Sequence, residues 1–414
     1  MTPVQARTAL GFSCAGHTIS HIYEPIFYVV ALVLPARFGI SYESALALIL
    51  AGKLMFGIAA PLTGWLGDRW SATGMMAVYF VGVGASAVWA GLASGPMDMA
   101  VALTCLGVFG SIYHPVGIAW LVRTAVNRGQ ALGINGAFGA LGPALGGVSA
   151  GILIDLFGWR AAFLIPGVLT LAIGLAFVWM LARGVVIETK TDARPEPAPD
   201  RRDTVRVYII IAMTMLVGGF IYQATQASMP KVFDERLGTA WEGLFGGGTS
   251  GIGVAVMLVY AIAGAFQIVT GHLSDRLSLK TVYVGMYVLQ APVLALAAAA
   301  TGLPLLFVMI LMVSFNIGAL PAENSLLARY TPTRWRSTAY GLKFVLAFGV
   351  SGLALPLVGL IRATTGDFAV LFLLLSALAA LVIIVGVRLP DERRRSQAKG
   401  PAAEPAKASA PAAE

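Results

Sequence analysis

The residues of this 414-residue chain best suited to chemistry are ionisable groups set in otherwise apolar sequence. His17, His21 and Glu24 follow one another at i, i+4 and i+7, which on a helix is a single face. An apolar helix with one protonatable stripe turns it towards water or a polar partner. An imidazole with an ordinary pKa of about 6.5 can both take up and release a proton at neutral pH. Lys53 stands in the next apolar run. Successive spanning helices run antiparallel, so Lys53 lies at a depth comparable with Glu24 and can pair with it. Such a pair is either a fixed structural one or one opened by protonating Glu24 or by an anionic substrate.

A second set lies further along. His114 precedes Pro115, and proline in a helix removes a backbone donor and kinks the rod, exposing a carbonyl. His114 is read either as a proton-coupling group or as a packed, hydrogen-bonded one. Glu323 and Asn324 sit beside Pro321, and Lys343 occupies the following apolar run, so Glu323–Lys343 is a plausible second charged pair. Tyr222, Gln223, Gln226 and Asn316 offer groups that donate and accept together. They suit a substrate of mixed polarity, and equally suit helix–helix hydrogen bonding worth about 0.6–2 kcal/mol. No phosphate-binding glycine loop appears, and no local Ser-His-Asp signature stands out, so neither ATP hydrolysis nor another enzymatic activity is expected. His17 and His21 have metal-pair spacing but no further pair nearby in sequence. No metal and no cofactor is expected.

The elements that must position these groups are set by composition. The chain is 58% hydrophobic and 12% charged, with mean hydropathy +0.81, whereas soluble domains carry about 25% charged residues. The apolar residues gather into runs of about 20, the length of a membrane-spanning helix. A soluble enzyme, a nucleic-acid-binding domain and a disordered regulator are excluded. Cys14 and Cys105 both lie in apolar runs, which argues against a disulfide scaffold. The first run, with its His and Glu and no small-residue cleavage site, reads as a spanning helix rather than a signal peptide.

Twelve runs begin near Arg7, Tyr42, Thr73, Met97, Gly129, Trp159, Val207, Gly248, Lys280, Leu303, Ser337 and Phe368. The stretch from Ile187 to Thr204 is charged and proline-rich, a solvated linker by composition. The tail from Pro390 is rich in Ala, Pro and charge and reads as disordered. The expected organisation is a six-helix half over 1–186, a linker over 187–205, a second six-helix half over 206–389 and a tail over 390–414. With both termini inside, 21 of the 28 Lys and Arg fall on the inner side, five on the outer side, and Lys53 and Lys343 within spans. That asymmetry orients termini and linker towards the cytoplasm.

The chain also repeats itself. Gly64-Trp-Leu-Gly-Asp68-Arg69 recurs as Gly271-His-Leu-Ser-Asp275-Arg276 at an offset of 207. Pro115 and Arg123 recur as Pro321 and Arg329 at 206; Gly133 and Gly158 recur as Gly341 and Gly366 at 208. Ordered landmarks at one offset describe a duplicated six-helix unit with parallel halves. A substrate site then belongs near the bilayer midplane between the halves, with access alternating as one half rocks against the other. Gly64 and Gly271 are expected to permit close packing, and the Asp68/Arg69 and Asp275/Arg276 pairs to hold one access state.

The G-x-L-x-D-R core at Gly64 to Arg69 resembles the loop signature of the major facilitator superfamily, and the resemblance runs from about Arg7 to Leu389. Downstream, Trp70-Ser-Ala-Thr replaces the usual Gly and basic residues. Gly142-Pro143-Ala-Leu-Gly146-Gly147 looks like the fifth-helix signature of drug:proton antiporters. Ser20-His21, Phe38-Gly-Ile-Ser41 and Tyr113-His114-Pro115 are similar to the fosmidomycin-resistance branch, with Val116 where that branch has an acid. The superfamily's fourth-helix arginine has no counterpart between Met97 and Tyr113.

The resemblance implies an all-α membrane protein of twelve transmembrane helices in two pseudo-symmetric halves. Its expected function is proton-coupled export of an amphipathic or antibiotic-like small molecule by alternating access. Glu24, with His21, His17 or His114, takes the proton; Lys53, Tyr222, Gln223, Gln226, Asn316, Glu323, Asn324 and Lys343 face the substrate. Gly64, Asp68, Arg69, Arg123, Gly142, Pro143, Gly146, Gly147, Gly271, Asp275 and Arg276 gate access. Two alternatives stand beside it: uptake or exchange of a small organic anion held by Lys53 and Lys343, and a transporter-like membrane sensor. The expected partners are the small-molecule substrate, protons and the lipid bilayer, with no nucleic acid. The setting is a bacterial inner membrane, and the state a monomer.

Overall fold

The structure, a computed structural model, describes residues 2–124, 128–188, 201–330 and 341–390. Every element among them is helical. In chain order the long elements are α1 (Pro3–Val30), α2 (Tyr42–Ile58 continued by Ala60–Arg69), α3 (Ala72–Leu92), α4 (Pro96–Leu121), α5 (Arg128–Phe157) and α6 (Trp159–Ala182). The second set comprises α7 (Arg201–Arg236), α8 (Gly248–Arg276), α9 (Leu279–Ala297), α10 (Gly302–Leu327), α11 (Gly341–Thr365) and α12 (Ala369–Gly386).

Ten of these, α3 to α12, are long and apolar enough to cross a membrane among the described residues, and the bent pair α2 makes an eleventh. α1 has 28 residues, about 42 Å at 1.5 Å per residue. Its polarity comes from the His-His-Glu stripe that makes it interesting. Ten expected starts fall within about four residues of a helix start, and Ser337 lies outside the described residues. One boundary moves. α7 begins at Arg201, inside the stretch read as linker, because the polar residues ahead of Val207 continue its helix beyond the apolar run. At the other end of the linker, Glu188 returns to cap α3: Ser71 Oγ donates to its Oε2 at 2.6 Å and the Ala72 amide to its Oε1 at 3.1 Å.

Small residues let the helices approach backbone to backbone, the usual packing device in lipid, where apolar burial cannot drive association. Gly142 and Gly146 of α5 lie on α1: a Cβ at Gly142 would fall 2.7 Å from the Thr18 carbonyl oxygen, and one at Gly146 would strike that of Ile22. Gly52 and Gly107 bring α2 onto α4 in the same way. Across the halves, Gly57 of α2 meets Gly349 of α11, and Gly147 and Gly151 of α5 meet Val256 and Thr249 of α8.

Three helices that line this junction are irregular. α2 bends by 43° at Ala59, next to Pro61. α4 carries a π-helical turn over Tyr113–Gly117, centred on the His114-Pro115 pair. α11 carries a π turn over Val345–Gly349 and a 3-10 turn over Val350–Leu353. Such breaks free backbone groups and recur at functional sites.

Candidate functional site

Both expected charge pairs form. Lys53 Nζ of α2 is paired with Glu24 Oε1 of α1, and Tyr28 Oη donates to the same oxygen at 3.0 Å. Lys343 Nζ of α11 lies 2.8 Å from Glu323 Oε1 of α10 and donates to Asn324 Oδ1 at 2.5 Å. Tyr283 Oη of α9 donates to Glu323 Oε2 at 3.3 Å. The side chains of Lys343 and Glu323 are only 6% and 5% exposed. Each half thus contains one carboxylate, one ammonium and one phenol, fully buried in the second half and with Glu24 partly exposed in the first. A charge buried this deeply is tolerable only while its partner stays.

Between the pairs stands a cluster of rings. His17, His21 and His114 pack against one another, with centroids 5.1–5.4 Å apart. His17 also stacks on Tyr113. His114 stacks on Phe344, at 4.5 Å and 20°, and so touches the second half one residue from Lys343. The π turn at Pro115 aims His114 there. The His17 Nδ1–H donates to the Asn135 carbonyl at 2.8 Å. Asn135 is held in turn by donating to Ser13 Oγ at 3.1 Å and Tyr113 Oη at 2.8 Å. A small cleft is lined by His21, Glu24, Lys53 and Phe56, among others. The result is a polar line across the junction, from Glu24–Lys53 through three imidazoles to Lys343–Glu323.

The second half adds a closed crevice, too tight for a water molecule, lined by Tyr222, Thr225, Tyr260, Gln290 and Asn316, among others. Around it, buried polar atoms of Gln223, Thr225, Gln226 and Gln290 have no hydrogen-bond partner among the described residues. Buried polar groups are nearly always satisfied, so these atoms are costly as they stand and would gain from a partner once the crevice opens. Asn316 is different: its Nδ2 donates to the Gly218 carbonyl at 3.5 Å, which ties α10 to α7.

Of the expected gating residues, Gly64 packs on Pro115, with a Cβ there 3.1 Å from the proline ring, so the second segment of α2 abuts the α4 kink. Gly271 does not repeat this: a Cβ would meet nothing within 4 Å. In the second half the small residue of this contact is Gly318 of α10, which lies on Phe266 and Thr270 of α8. The duplication preserved the motif and moved the contact to the other helix. Asp68, Arg69 and Arg276 lie at the helix ends next to these turns, while the side chains of Arg123 and Asp275 lie outside the described residues. Pro143 is accommodated inside α5.

The reading from sequence missed a further lock. Asp155, at the end of α5, accepts from Thr249 Oγ1 at 2.6 Å, the Ser250 amide at 2.7 Å and the Thr249 amide at 3.3 Å. A carboxylate thereby caps the N-terminus of α8 in the other half, where the helix dipole favours it. Tyr28, Tyr283, Thr225, Gln290, Tyr260 and Asn135 were also missed, since nothing in the local sequence of a Tyr or Gln marks its partner. Three histidines converge where two were legible, because His114 comes from a helix some 90 residues away.

Two six-helix halves, a junction lined by buried ion pairs and irregular helices at its wall are the architecture of a membrane transporter. The Major Facilitator Superfamily profile matches residues 13–259 and again 243–413; the chain belongs to that superfamily, whose members are transporters rather than enzymes, and is a multi-pass membrane protein. It is similar to a probable actinorhodin transporter of Streptomyces coelicolor, at 29% identity over 47% of this chain and 34% of the relative. A tetracenomycin C resistance and export protein of Streptomyces glaucescens is 33% identical over 41% of this chain and 30% of its own length. The chain thus spans about a third of these antibiotic-related proteins. Human monocarboxylate transporter 11 is 27% identical over 80% of this chain and 72% of that protein. In fold it matches a D-xylose–proton symporter with a TM-score of 0.71 at 15% identity, covering 92% of this chain and 97% of that one.

Proposed function

We propose that the protein exports an amphipathic small molecule in exchange for protons, from a bacterial cytoplasm across the inner membrane, with both termini inside. The observation that carries the reading is the polar line from Glu24–Lys53 through the histidines to Lys343–Glu323. Protonating Glu24 releases Lys53, and that pair then changes its net charge by one beside the junction. Access states that expose or enclose the site therefore differ in their affinity for a proton, which is what coupling requires. The unsatisfied amide of Gln223 and the amide oxygen of Gln226 give the substrate polar contacts, and Tyr222, Tyr260 and Phe56 give it apolar ones. The antibiotic-transport relatives, the fifth-helix Gly-Pro-Gly-Gly signature and the charge asymmetry of the loops support this direction and setting.

Transport of a small organic anion is the second reading, favoured by the similarity to a monocarboxylate transporter and by two lysines in the spans. Against it, both lysines already hold a carboxylate, so an anion would have to displace Glu24 or Glu323. Charge neutralisation separates the two. Glu24→Gln is expected to abolish flux driven by a proton gradient while leaving undriven counterflow of substrate; loss of both makes the pair structural. Binding of a carboxylate that disappears in Lys53→Ala and Lys343→Ala would establish the anion reading instead.

A further inference from the structure

Three of the chain's four histidines, His17, His21 and His114, bring a ring nitrogen each to within 4.8 Å of one another. Their centroids form a near-regular triangle with sides of 5.3, 5.4 and 5.1 Å. A tetrahedral ion held by imidazole nitrogens at about 2.0–2.1 Å places the ring centroids about 5.2 Å apart and the nitrogens about 3.3 Å apart. The rings thus already have the spacing of a single-ion site, and rotations of the imidazoles bring the nitrogens together.

The surroundings complete such a site. His17 donates its Nδ1–H to the Asn135 carbonyl, so its Nε2 keeps the lone pair that a metal needs. A ligating histidine characteristically donates its other nitrogen in this way, which fixes tautomer and ring orientation. Asn135 is itself anchored by Ser13 and Tyr113, and Phe344 holds the plane of His114. Gly139 and Gly142 clear the space on the α5 side: a Cβ at Gly139 would lie 2.5 Å from His17 Cε1 and one at Gly142 2.7 Å from His21 Cβ.

We infer that His17, His21 and His114 bind one divalent transition-metal ion of the zinc class, with a fourth position open towards the cleft beside Glu24 and Lys53. Three neutral imidazoles without thiolate or convergent carboxylates suit zinc, cobalt, nickel or copper and disfavour magnesium and calcium. Two ligands come from α1 and one from α4, both in the first half. The ion therefore ties those helices together without bridging the two halves, and its binding does not depend on which substrate is carried.

The test is a cobalt(II) titration of full-length protein purified through a tag free of histidine and stripped with chelator. The expected result is one Co²⁺ per chain with the visible bands of a four-coordinate site, lost when Zn²⁺ is added. His17→Gln and His114→Gln remove the bands, while His272→Ala, at the exposed fourth histidine, leaves them. Thermal melting of the metal-free variants checks that each is folded, and only the wild type and His272→Ala gain stability from Zn²⁺. Absence of bands at excess cobalt, or bands that survive in a folded His114→Gln protein, overturns the inference.

Discussion

Removing Lys343 is the sharpest perturbation of the buried pair in the second half. At 2.8 Å and an effective dielectric constant of about 20, the attraction between the two charges is about 6 kcal/mol. Desolvating each ion costs several kcal/mol, so the intact pair is close to neutral overall, whereas stranding one member costs about 3–5 kcal/mol. Lys343→Met leaves the Glu323 carboxylate with only the Tyr283 hydroxyl as a donor among the contacts described above. At about 2–4 °C per kcal/mol for a unit the size of one half, the melting temperature falls by about 6–20 °C. Glu323→Gln alone strands the ammonium and costs a similar amount. The double variant Glu323→Gln/Lys343→Met strands nothing and recovers most of the loss. The assay is thermal unfolding of all four proteins in one detergent, arranged as a double-mutant cycle. Additive losses would refute the argument, because they would mean that the two residues contribute independently.

The other predictions probe the junction and the second-half crevice. Gln223→Leu removes buried amide atoms that have no partner, and each such group costs about 1–3 kcal/mol; the variant is expected to melt higher than wild type while binding substrate more weakly, measured by melting and by equilibrium binding. Asp155→Ala deletes hydrogen bonds from α8 to a charged acceptor, worth about 1.5–3 kcal/mol each. Loss of one shifts the balance of access states by about tenfold to a hundredfold, read as a longer distance between spin labels at the exposed Phe157 and Phe245. Gly146→Val drives a side chain into the backbone of α1 and is expected to lower melting by more than the 1–3 kcal/mol typical of overpacking. Gly271→Ala, with open space around it, is neutral or stabilising by up to about 1 kcal/mol.

Much of this architecture was legible because the bilayer imposes a one-dimensional rule: about 20 apolar residues make a span. The pairing of Glu24 with Lys53 and of Glu323 with Lys343 followed from the cost of an unpaired charge at membrane depth together with antiparallel neighbours. The His114-Pro115 kink followed from the missing proline N–H. What stayed hidden depends on which helices meet. Nothing near Asp155 indicates that α8 begins over its carboxylate, and nothing near His17 indicates that His114 completes its cluster. Repeat symmetry misled at Gly271, since duplicated sequence preserves a motif without preserving what packs on it. The start of α7 was misjudged because composition separates apolar from polar residues, whereas a helix continues through both.

Lumenal pH in proteoliposomes carrying a preset proton gradient tests the central claim most directly. Proton-coupled export predicts that aromatic antibiotic-like amphiphiles dissipate the gradient, that monocarboxylates do not, and that Glu24→Gln abolishes the proton movement while preserving substrate counterflow. Dissipation by carboxylates alone, lost in Lys53→Ala, would contradict it and establish an anion transporter in its place.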